Sequence, residues 1–345
     1  MKTAVVICPG RGTYTKTELG YLKRHFADRA LLGAFDRTRE GLGQETLTSL
    51  DGAASYSVAR HTRGDNASAL IYAATLGDFR AIDGVEIVAV TGNSMGWYSA
   101  LACGGALTAE AGFETVNTMG TLMQEALIGG QLIYPFVGED WVPDAGRKAE
   151  LLALVAEIGN RTDHVLTLSI DLGGMLVLAG NEAGLSAFEA AVPPVQGRFP
   201  MRLANHAAFH SSLQAPVAER GRTRLGPSLF GQPKLPMIDG RGAIWWPGAT
   251  DTHALWDYTL GTQVTETYDF THAIRIAARE FAPDLFIVTG PGTTLGGAVA
   301  QSLILANWRG MRSKTDFQTR QQTAPLLVSM AMDDQRETVT KGDPR

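Results

Sequence analysis

A serine between two glycines, in the stretch Gly92-Asn-Ser94-Met-Gly96, is the part of this sequence best suited to covalent chemistry. It follows a short apolar run, 85–90, that predicts a buried strand, and it precedes 97–103, which predicts a helix. A strand, a tight turn and a helix around Gly-x-Ser-x-Gly form a nucleophile elbow, in which the serine hydroxyl stands free above the sheet. The glycines remove the Cβ atoms that would collide where strand and helix pack together. We therefore predict that Ser94 is a nucleophile.

Two backbone amides are candidates for stabilising negative charge on a reacting carbonyl. The helix after Ser94 directs its N-terminus, and with it the amide of Met95, toward the nucleophile. A second amide, that of Arg11, belongs to the glycine-rich turn that ends another apolar strand, 3–8. This turn lacks the third glycine of a dinucleotide-binding loop, since Thr15 stands in its place, so we expect no bound dinucleotide.

Composition and charge exclude several other classes of protein. The chain has 345 residues, of which 45% are hydrophobic and 19% charged, as is typical of a globular protein with one large α/β domain and a smaller companion. A net charge of −5 without a basic stripe argues against nucleic acid as a partner. Cys8 and Cys103 both lie in apolar runs and predict buried free thiols. No run is long enough to span a membrane or to form a signal-peptide core, so we expect a cytoplasmic protein.

The pattern of apolar residues predicts a parallel sheet whose chain is interrupted by an inserted unit. Strand and helix patterns between 130 and 204 alternate in the order βαββαβ, which is that of a ferredoxin-like domain. The large domain is expected to comprise 1–129 and 205–330, with 285–288 as its last strand, and 331–345 is expected to be a loose polar tail. Further helices are predicted over 17–35, 66–82 with Asn66 as a candidate cap, 110–127, 210–226, 269–281 and 296–306, and a loop over 227–256.

Seven short motifs follow one another along the chain. They are Cys8-Pro-Gly-Arg-Gly12, Gly92 to Leu101, Met119 to Ala126, Ala179-Gly-Asn181, Ala207 to His210, Asp269-Phe-Thr271 and Val288 to Gly292. In this order they resemble the motifs of the malonyl-CoA:acyl-carrier-protein transacylases and of related polyketide-synthase acyltransferase domains. The similarity covers roughly residues 3–306, and several motifs in the family's order are more specific than any one alone. The resemblance implies a large α/β-hydrolase-like domain, with a parallel sheet and a nucleophile elbow, plus an inserted ferredoxin-like small domain.

The resemblance also implies a ping-pong transfer of an acyl group from acyl-CoA to the phosphopantetheine thiol of an acyl carrier protein, in fatty-acid or polyketide synthesis. At the matching positions, Ser94 would carry the acyl ester and His210 would be its general base. The family orients that histidine through a backbone carbonyl, which matches Asp269, and forms its oxyanion hole from amides that match Arg11 and Met95. Acyl-CoA would be a substrate, and neither a permanent cofactor nor a metal is implied.

Several positions depart from the family pattern. Asn93 replaces the usual histidine before the nucleophile, and Trp97 replaces the usual acid after the elbow. Met119 stands where the family has the arginine that pairs with the malonyl carboxylate, and a thioether cannot form that charge-assisted pair. We therefore expect acetyl or another short uncharged acyl group to load at least as well as malonyl, in a pocket that includes Met119, Asn93 and Phe209. An aromatic at Phe209 would favour unbranched groups.

Arg11 replaces the glutamine of the family's first loop. Because Asp269 also stands where the family carries an amide, we expect the two side chains to form an ion pair near the mouth of the site. If Asp269 does not occupy the guanidinium, Arg11 is free to hold a substrate carboxylate instead.

Other functions remain open at this point. A thioester hydrolase on the same framework would clear acyl groups from a carrier protein, and the loss of the carboxylate clamp at Met119 favours it. A non-catalytic docking partner of a synthase is opposed by the intact Ser94 and His210. An esterase of the α/β-hydrolase type is opposed because the last histidine, His272, comes too early in the chain. His206 is a weaker candidate for the base than His210.

Overall fold

The protein, described here by a computed structural model that covers residues 1–340, contains two β-sheets packed with helices. The strands are β1 (Lys2–Cys8), β2 (Val85–Gly92), β3 (Gly130–Pro135), β4 (Leu166–Leu172), β5 (Met175–Gly180), β6 (Met201–Arg202), β7 (Met237–Ile238), β8 (Ile244–Trp245), β9 (Tyr268–Asp269), β10 (Leu285–Val288) and β11 (Leu327–Ser329).

The α-helices are α1 (Tyr21–His25), α2 (Arg29–Gly41), α3 (Leu47–Asp51), α4 (Val58–His61), α5 (Gly64–Ala81), α6 (Gly96–Cys103), α7 (Ala109–Ala126), α8 (Ala145–Gly159), α9 (Glu182–Ala191), α10 (Ala215–Arg224), α11 (Thr252–Asp257), α12 (Gln263–Thr265), α13 (Phe270–Phe281), α14 (Thr294–Leu305), α15 (Lys314–Thr323) and α16 (Asp333–Arg336). Short 3₁₀ turns lie at Lys16–Glu18, Ser212–Gln214, Pro227–Leu229 and Trp308–Gly310, and a π-helical turn at Tyr258–Thr262. Among the described residues, no helix combines the length and apolar composition needed to cross a bilayer.

The larger sheet places the turn after β1 next to the elbow after β2. Its strands run in the order β11-β10-β1-β2-β7-β8, and β1 lies parallel to both β10 and β2. The apolar run of β1 is buried from Ala4 to Cys8, as expected for a central parallel strand covered on both faces. The turn after β1 and the elbow after β2 therefore meet at the carboxyl edge of the sheet, where ligands bind in open α/β folds.

The smaller sheet is built mainly from the segment 130–202. Its strands run in the order β6-β3-β5-β4-β9, with antiparallel pairing among the first four, and α8 and α9 complete the predicted βαββαβ order. The short strand β9 joins from outside this segment and pairs parallel with β4. This architecture confirms the expected fold class, a large α/β domain with a ferredoxin-like small domain.

Several predicted elements differ from those observed, each for a local reason. The helix expected over 17–35 is interrupted because the Asp28 side chain accepts a hydrogen bond from Leu31 N and starts a new helix, α2. Asn66 is not the cap of α5, which begins at Gly64; its side chain accepts a hydrogen bond from Arg39 Nη2 (2.6 Å) instead. The region 227–256, expected to be a loop, contains β7, β8 and α11.

The segment after Met330 is not a loose tail where the structure describes it. Arg336 of α16 donates to the buried Asp78 (Nη1 to Oδ1, 2.6 Å), whose other oxygen accepts from Tyr21 Oη and Gly290 N, both at 2.7 Å. The strand β11 pairs with β10, so β10 is not the last strand. A buried carboxylate needs such partners, and here they come from opposite ends of the chain. Residues 341–345 of the predicted tail lie outside the described residues.

The elbow depends on close approach between three backbone segments. A Cβ at Gly96 would overlap the carbonyl oxygen of Cys8, and a Cβ at Gly92 would overlap the backbone of Gly96. Strands β1 and β2 and helix α6 can thus approach this closely only with glycine at both positions.

We predict that Gly96→Ala lowers the free energy of unfolding by about 1–3 kcal/mol, because the backbone must shift to admit the methyl group. Gly297→Ala is the matched control: Gly297 lies inside α14 with no atom within 4 Å of the position that the methyl group would take, so this change should add about 0.5–1 kcal/mol. Urea unfolding curves measure both values. A Gly96→Ala protein as stable as the wild type would contradict the packing described for the elbow.

Candidate active site

Ser94 and His210 meet at the carboxyl edge of the larger sheet. Ser94 Oγ lies 2.7 Å from His210 Nε2, although 116 residues separate them in the chain. Both residues have a left-handed backbone conformation, with φ of 56° and 54°. Non-glycine residues adopt it rarely, and such strain often marks functional sites. The arrangement has the geometry of a nucleophile and its general base.

A backbone carbonyl fixes the tautomer of His210. Its Nδ1 lies 2.6 Å from the carbonyl oxygen of Gln263, which can only accept a hydrogen bond. Nδ1 therefore carries the proton, and the lone pair of Nε2 faces the Ser94 hydroxyl. Burial lowers the pKa of His210 to about 4, although the hydrogen bond to Gln263 acts in the opposite direction. The imidazole is thus neutral at pH 7, which is the form that accepts a proton.

The expectation that Asp269 supplies this carbonyl is wrong. Asp269 is the N-cap of α13, where its side chain accepts a hydrogen bond from His272 N at 2.7 Å. Gln263, six residues earlier, contacts His210 instead. Every residue type offers a backbone carbonyl, so the sequence carried no signal for Gln263.

A π-helical turn, Tyr258–Thr262, sets the position of Gln263 directly after it. Trp97, which replaces the usual acid, is fully buried and donates its indole N–H to Thr259 Oγ1 at 3.0 Å within this turn. The Gln263 side chain donates to the carbonyl oxygen of Ser94 at 3.1 Å. The elbow and the segment that orients His210 are therefore joined by side-chain hydrogen bonds, and π-helical turns are common at functional sites.

Two backbone amides near Ser94 are available to a ligand. Met95 is the N-cap of α6, and Arg11 lies in the turn after β1, which Gly10 brings against the backbone of Asn93. In the part of the chain that the structure describes, neither the Met95 nor the Arg11 amide hydrogen-bonds to another protein group. Both remain candidates for an oxyanion hole.

Two cavities adjoin Ser94. The larger, of about 260 Å³, lies between the turn after β1, the elbow and aliphatic side chains of the smaller sheet, and Asn93 and His206 also line it. The smaller, of about 20 Å³, is bounded by Ser94, His210 and α7 and has room for roughly one water molecule. Phe209 and Arg11 line both cavities. As expected, Asn93 and Phe209 lie at the site, and the buried Oδ1 of Asn93 has no partner among the described residues.

The predicted place of Met119 in the pocket is wrong. Met119 is fully buried and packs toward α10, where a methyl group on Gly221 would lie 2.7 Å from its sulfur. The residues of α7 that line the smaller cavity are Val116, Gly120 and Met123. Around α7, Met119 lies about 40° from Met123 and about 60° from Val116, so the helical spacing placed these three residues on one face. Only the packing of Met119 against α10 separates it from the residues that line the cavity.

The expected ion pair between Arg11 and Asp269 is also wrong. Arg11 Nη2 donates to the backbone carbonyls of Thr62 (2.8 Å) and Asn205 (3.1 Å). Asp269 instead caps its own helix. The fact that the family carries an amide side chain at both positions was therefore no evidence that Arg11 and Asp269 touch.

His206 occupies a different place from His210. Its Nδ1 lies 2.9 Å from Gln131 Oε1, so its ring is held by the smaller sheet and not by the elbow. Burial, together with the charge of Arg11, lowers the pKa of His206 to about 3. His206 is thus a neutral wall residue of the larger cavity.

Comparison with known proteins finds relatives in sequence and in fold, although no family model matches the chain. Over 211 residues the chain is 26% identical to the malonyl CoA-acyl carrier protein transacylase of Salmonella typhimurium, covering 60% of this chain and 63% of that enzyme. The malonyl-CoA:acyl carrier protein transacylase of Xanthomonas oryzae has the same fold, with a TM-score of 0.75 over 99% of both chains and 17% identity. In sequence and in fold, the chain is similar to the malonyl-CoA:acyl-carrier-protein transacylases. The resemblance expected from its motifs is confirmed, although the aligned region spans less than two thirds of that curated relative.

A further solved relative contains a partner. It is a malonyl-transacylase in complex with the holo form of a type II polyketide synthase acyl-carrier protein, with a TM-score of 0.73 over 99% of this chain and 100% of that one, at 18% identity. At this identity the likeness establishes the fold alone.

We predict that formation of an acyl-enzyme stays independent of pH from about 5.5 to 8 and falls only as the pH approaches 4. The pKa of His210 is depressed, so the neutral base persists well below the usual titration range of histidine and is lost as the pH falls through the folded-state pKa. The measurement is kcat/KM for acetyl-pantetheine, a thioester without an ionising group in this range. A midpoint near 6.5 would show that His210 is not buried as described.

Proposed function

We propose that this protein transfers a short acyl group from acyl-CoA to the phosphopantetheine thiol of an acyl carrier protein, through an ester on Ser94. The observation that carries the proposal is the 2.7 Å contact between Ser94 Oγ and His210 Nε2 within a nucleophile elbow. The fold of the transacylase family supports it.

In the first half-reaction, His210 Nε2 takes the hydroxyl proton as Ser94 Oγ attacks the thioester carbonyl. The Met95 and Arg11 amides would bind the oxyanion that forms. When the intermediate collapses, the C–S bond breaks, and the imidazolium returns its proton to the departing CoA thiolate. The carrier-protein thiol then gives its proton to His210 and attacks the ester, and Ser94 recovers its hydroxyl.

The size of the acyl group is limited by the smaller cavity. It has room for about one water molecule, so the part of the acyl group beyond the carbonyl must be short. Phe209 borders this cavity and would exclude branched groups. The expectation that an uncharged group loads at least as well as malonyl rests on the absence of an arginine at Met119, and it stays a prediction. The ion pair that was expected to occupy Arg11 does not form, because Asp269 caps its own helix.

The larger cavity would receive the pantetheine arm of both substrates, since it leads to Ser94 between the two sheets. A relative of the same fold is known in complex with a carrier protein, which supports such a partner here. In this proposal acyl-CoA is consumed as a substrate, and the chemistry needs no resident cofactor.

No structural observation favours the thioester hydrolase considered from the sequence. That alternative rests on the loss of the carboxylate clamp at Met119, and it stays open to the test of release against transfer. Release of free acid from the acyl-enzyme in the absence of carrier protein, at a rate equal to that of transfer, would restore it.

We predict that Ser94→Ala abolishes the covalent adduct formed with acyl-CoA and leaves the fold intact. Intact-protein mass spectrometry after incubation with a panel of acyl-CoAs measures the adduct. Ser99→Ala is the matched control, because Ser99 is a buried residue of α6 on the same segment and should leave acylation unchanged. An adduct that persists in Ser94→Ala, on Ser99 or on Ser211, would contradict the assignment.

We predict that His210→Ala slows acyl transfer by about 10²–10⁴-fold, the usual cost of removing a positioned acid–base group. His206→Ala should cost much less, since His206 is bonded to Gln131 and not to Ser94. Rates of transfer to a carrier protein compare the two variants. Equal losses would argue against His210 as the base.

A further inference from the structure

A chain of three hydrogen bonds crosses the smaller sheet and ends at His206, in the wall of the larger cavity. Ser169 Oγ donates to the carbonyl oxygen of Phe209, and Gln131 Nε2 donates to Ser169 Oγ, both at 2.7 Å. Gln131 Oε1 lies 2.9 Å from His206 Nδ1. Ser169 lies where the register of β4 against β5 shifts, and such bulges commonly redirect a side chain. Gln131 and Ser169 are both buried, so the chain forms inside the protein.

The direction of these hydrogen bonds fixes the tautomer of His206. A backbone carbonyl can only accept, so the single hydroxyl proton of Ser169 is committed to Phe209, and Ser169 Oγ accepts from the amide nitrogen of Gln131. Gln131 then directs its oxygen at His206, whose Nδ1 must carry the proton. Burial, which lowers the pKa of His206, keeps the ring neutral at pH 7. Nε2 is therefore a fixed hydrogen-bond acceptor.

This acceptor belongs to a cavity whose wall is largely aliphatic. Among residues 1–340, His206 hydrogen-bonds through Nδ1 and no group donates to its Nε2. Asn93 lines the same cavity, and its buried Oδ1 is a second acceptor without a partner among these residues. An acceptor that loses its water and stays unpaired is costly. A ligand that fills the larger cavity must therefore bring hydrogen-bond donors along an otherwise apolar body.

We propose that His206 is a positioning residue for the pantetheine arm, and that its Nε2 accepts a hydrogen bond from an amide N–H of that arm. The inference rests on the proposed acyl transfer, in which both substrates carry this arm. With the thioester at Ser94, the two secondary amides enter the cavity before the hydroxyl group, because they lie nearer the sulfur. Each amide N–H loses its water among aliphatic side chains and then needs an acceptor. His206 supplies one at a fixed place.

The test removes the hydrogen bond first from the substrate. Acyl-enzyme formation is measured as kcat/KM with acetyl-pantetheine and with two analogues, in each of which one amide is replaced by an ester. The replacement deletes the N–H at nearly constant shape. In the wild type, one of the two analogues should lose about 5- to 30-fold in kcat/KM, the scale of one unpaired hydrogen-bonding group. The loss should appear mainly in KM, because no reacting atom takes part in the contact.

The same hydrogen bond is then removed from the protein. In His206→Leu, acetyl-pantetheine should lose the same factor, and the sensitive ester analogue should lose nothing further. In His206→Gln, part of the preference for the amide should return, because the side-chain oxygen of glutamine is also an acceptor. His164→Leu is the matched control and should keep the wild-type preference. His164 also belongs to the smaller domain, but its Nδ1 lies 2.7 Å from the Thr162 carbonyl oxygen, and it lines neither cavity.

The ratio of kcat/KM between amide and ester separates recognition from structure. A variant that merely disturbed the smaller sheet would slow both substrates alike and would keep their ratio. If His206→Leu does not fold by thermal melting, His206→Phe, which also lacks an acceptor, takes its place. A wild type that uses both ester analogues as well as acetyl-pantetheine overturns the inference, as does a preference for the amide that survives in the apolar variant. If no acetyl thioester labels Ser94, the proposed function fails, and this inference falls with it.

Discussion

The chain of hydrogen bonds from Ser94 through His210 to the carbonyl of Gln263 constrains much of the rest of the structure. The histidine needs its Nδ1 proton held by an acceptor that never donates, and a backbone carbonyl meets that requirement without adding a buried charge. Both Ser94 and His210 keep a left-handed backbone to reach each other. The surrounding packing must therefore fix two strained turns and one carbonyl to within hydrogen-bonding distance.

The packing meets this demand by tying the elbow to the π-helical turn before Gln263. Tyr98 of α6 donates to Gln263 Oε1 at 3.0 Å, and Gln263 Nε2 returns a bond to the Ser94 carbonyl. Tyr268 donates to the Gly92 carbonyl at 2.5 Å from the other side. Movement of any one of these segments would disturb the others. The aromatic residues around the elbow are thus part of the machinery that holds the dyad.

The charges at the site depend on which hydrogen-bond partners the protein supplies. The described residues around the dyad supply neutral acceptors to His210 and Arg11, and burial keeps both histidines of the region neutral. Among the described residues, the buried Nε of Arg11 has no hydrogen-bond partner. Asp78 pairs with Arg336, and Asp269 caps its own helix.

The sequence by itself determined the elements whose signal is local. Gly92 and Gly96 around Ser94 predicted the elbow, because only glycine allows the backbone segments to approach so closely. The alternation of strand and helix patterns over 130–204 predicted the ferredoxin-like order, because each pattern depends on the residue types alone. Tertiary structure alone decided the partners. Gln263 contributes a backbone atom that every residue has, Met119 packs against α10 and lines neither cavity, and Arg11 donates to two carbonyls instead of pairing with Asp269. Such contacts depend on how distant segments pack, and the residue type at one position carries no information about that packing.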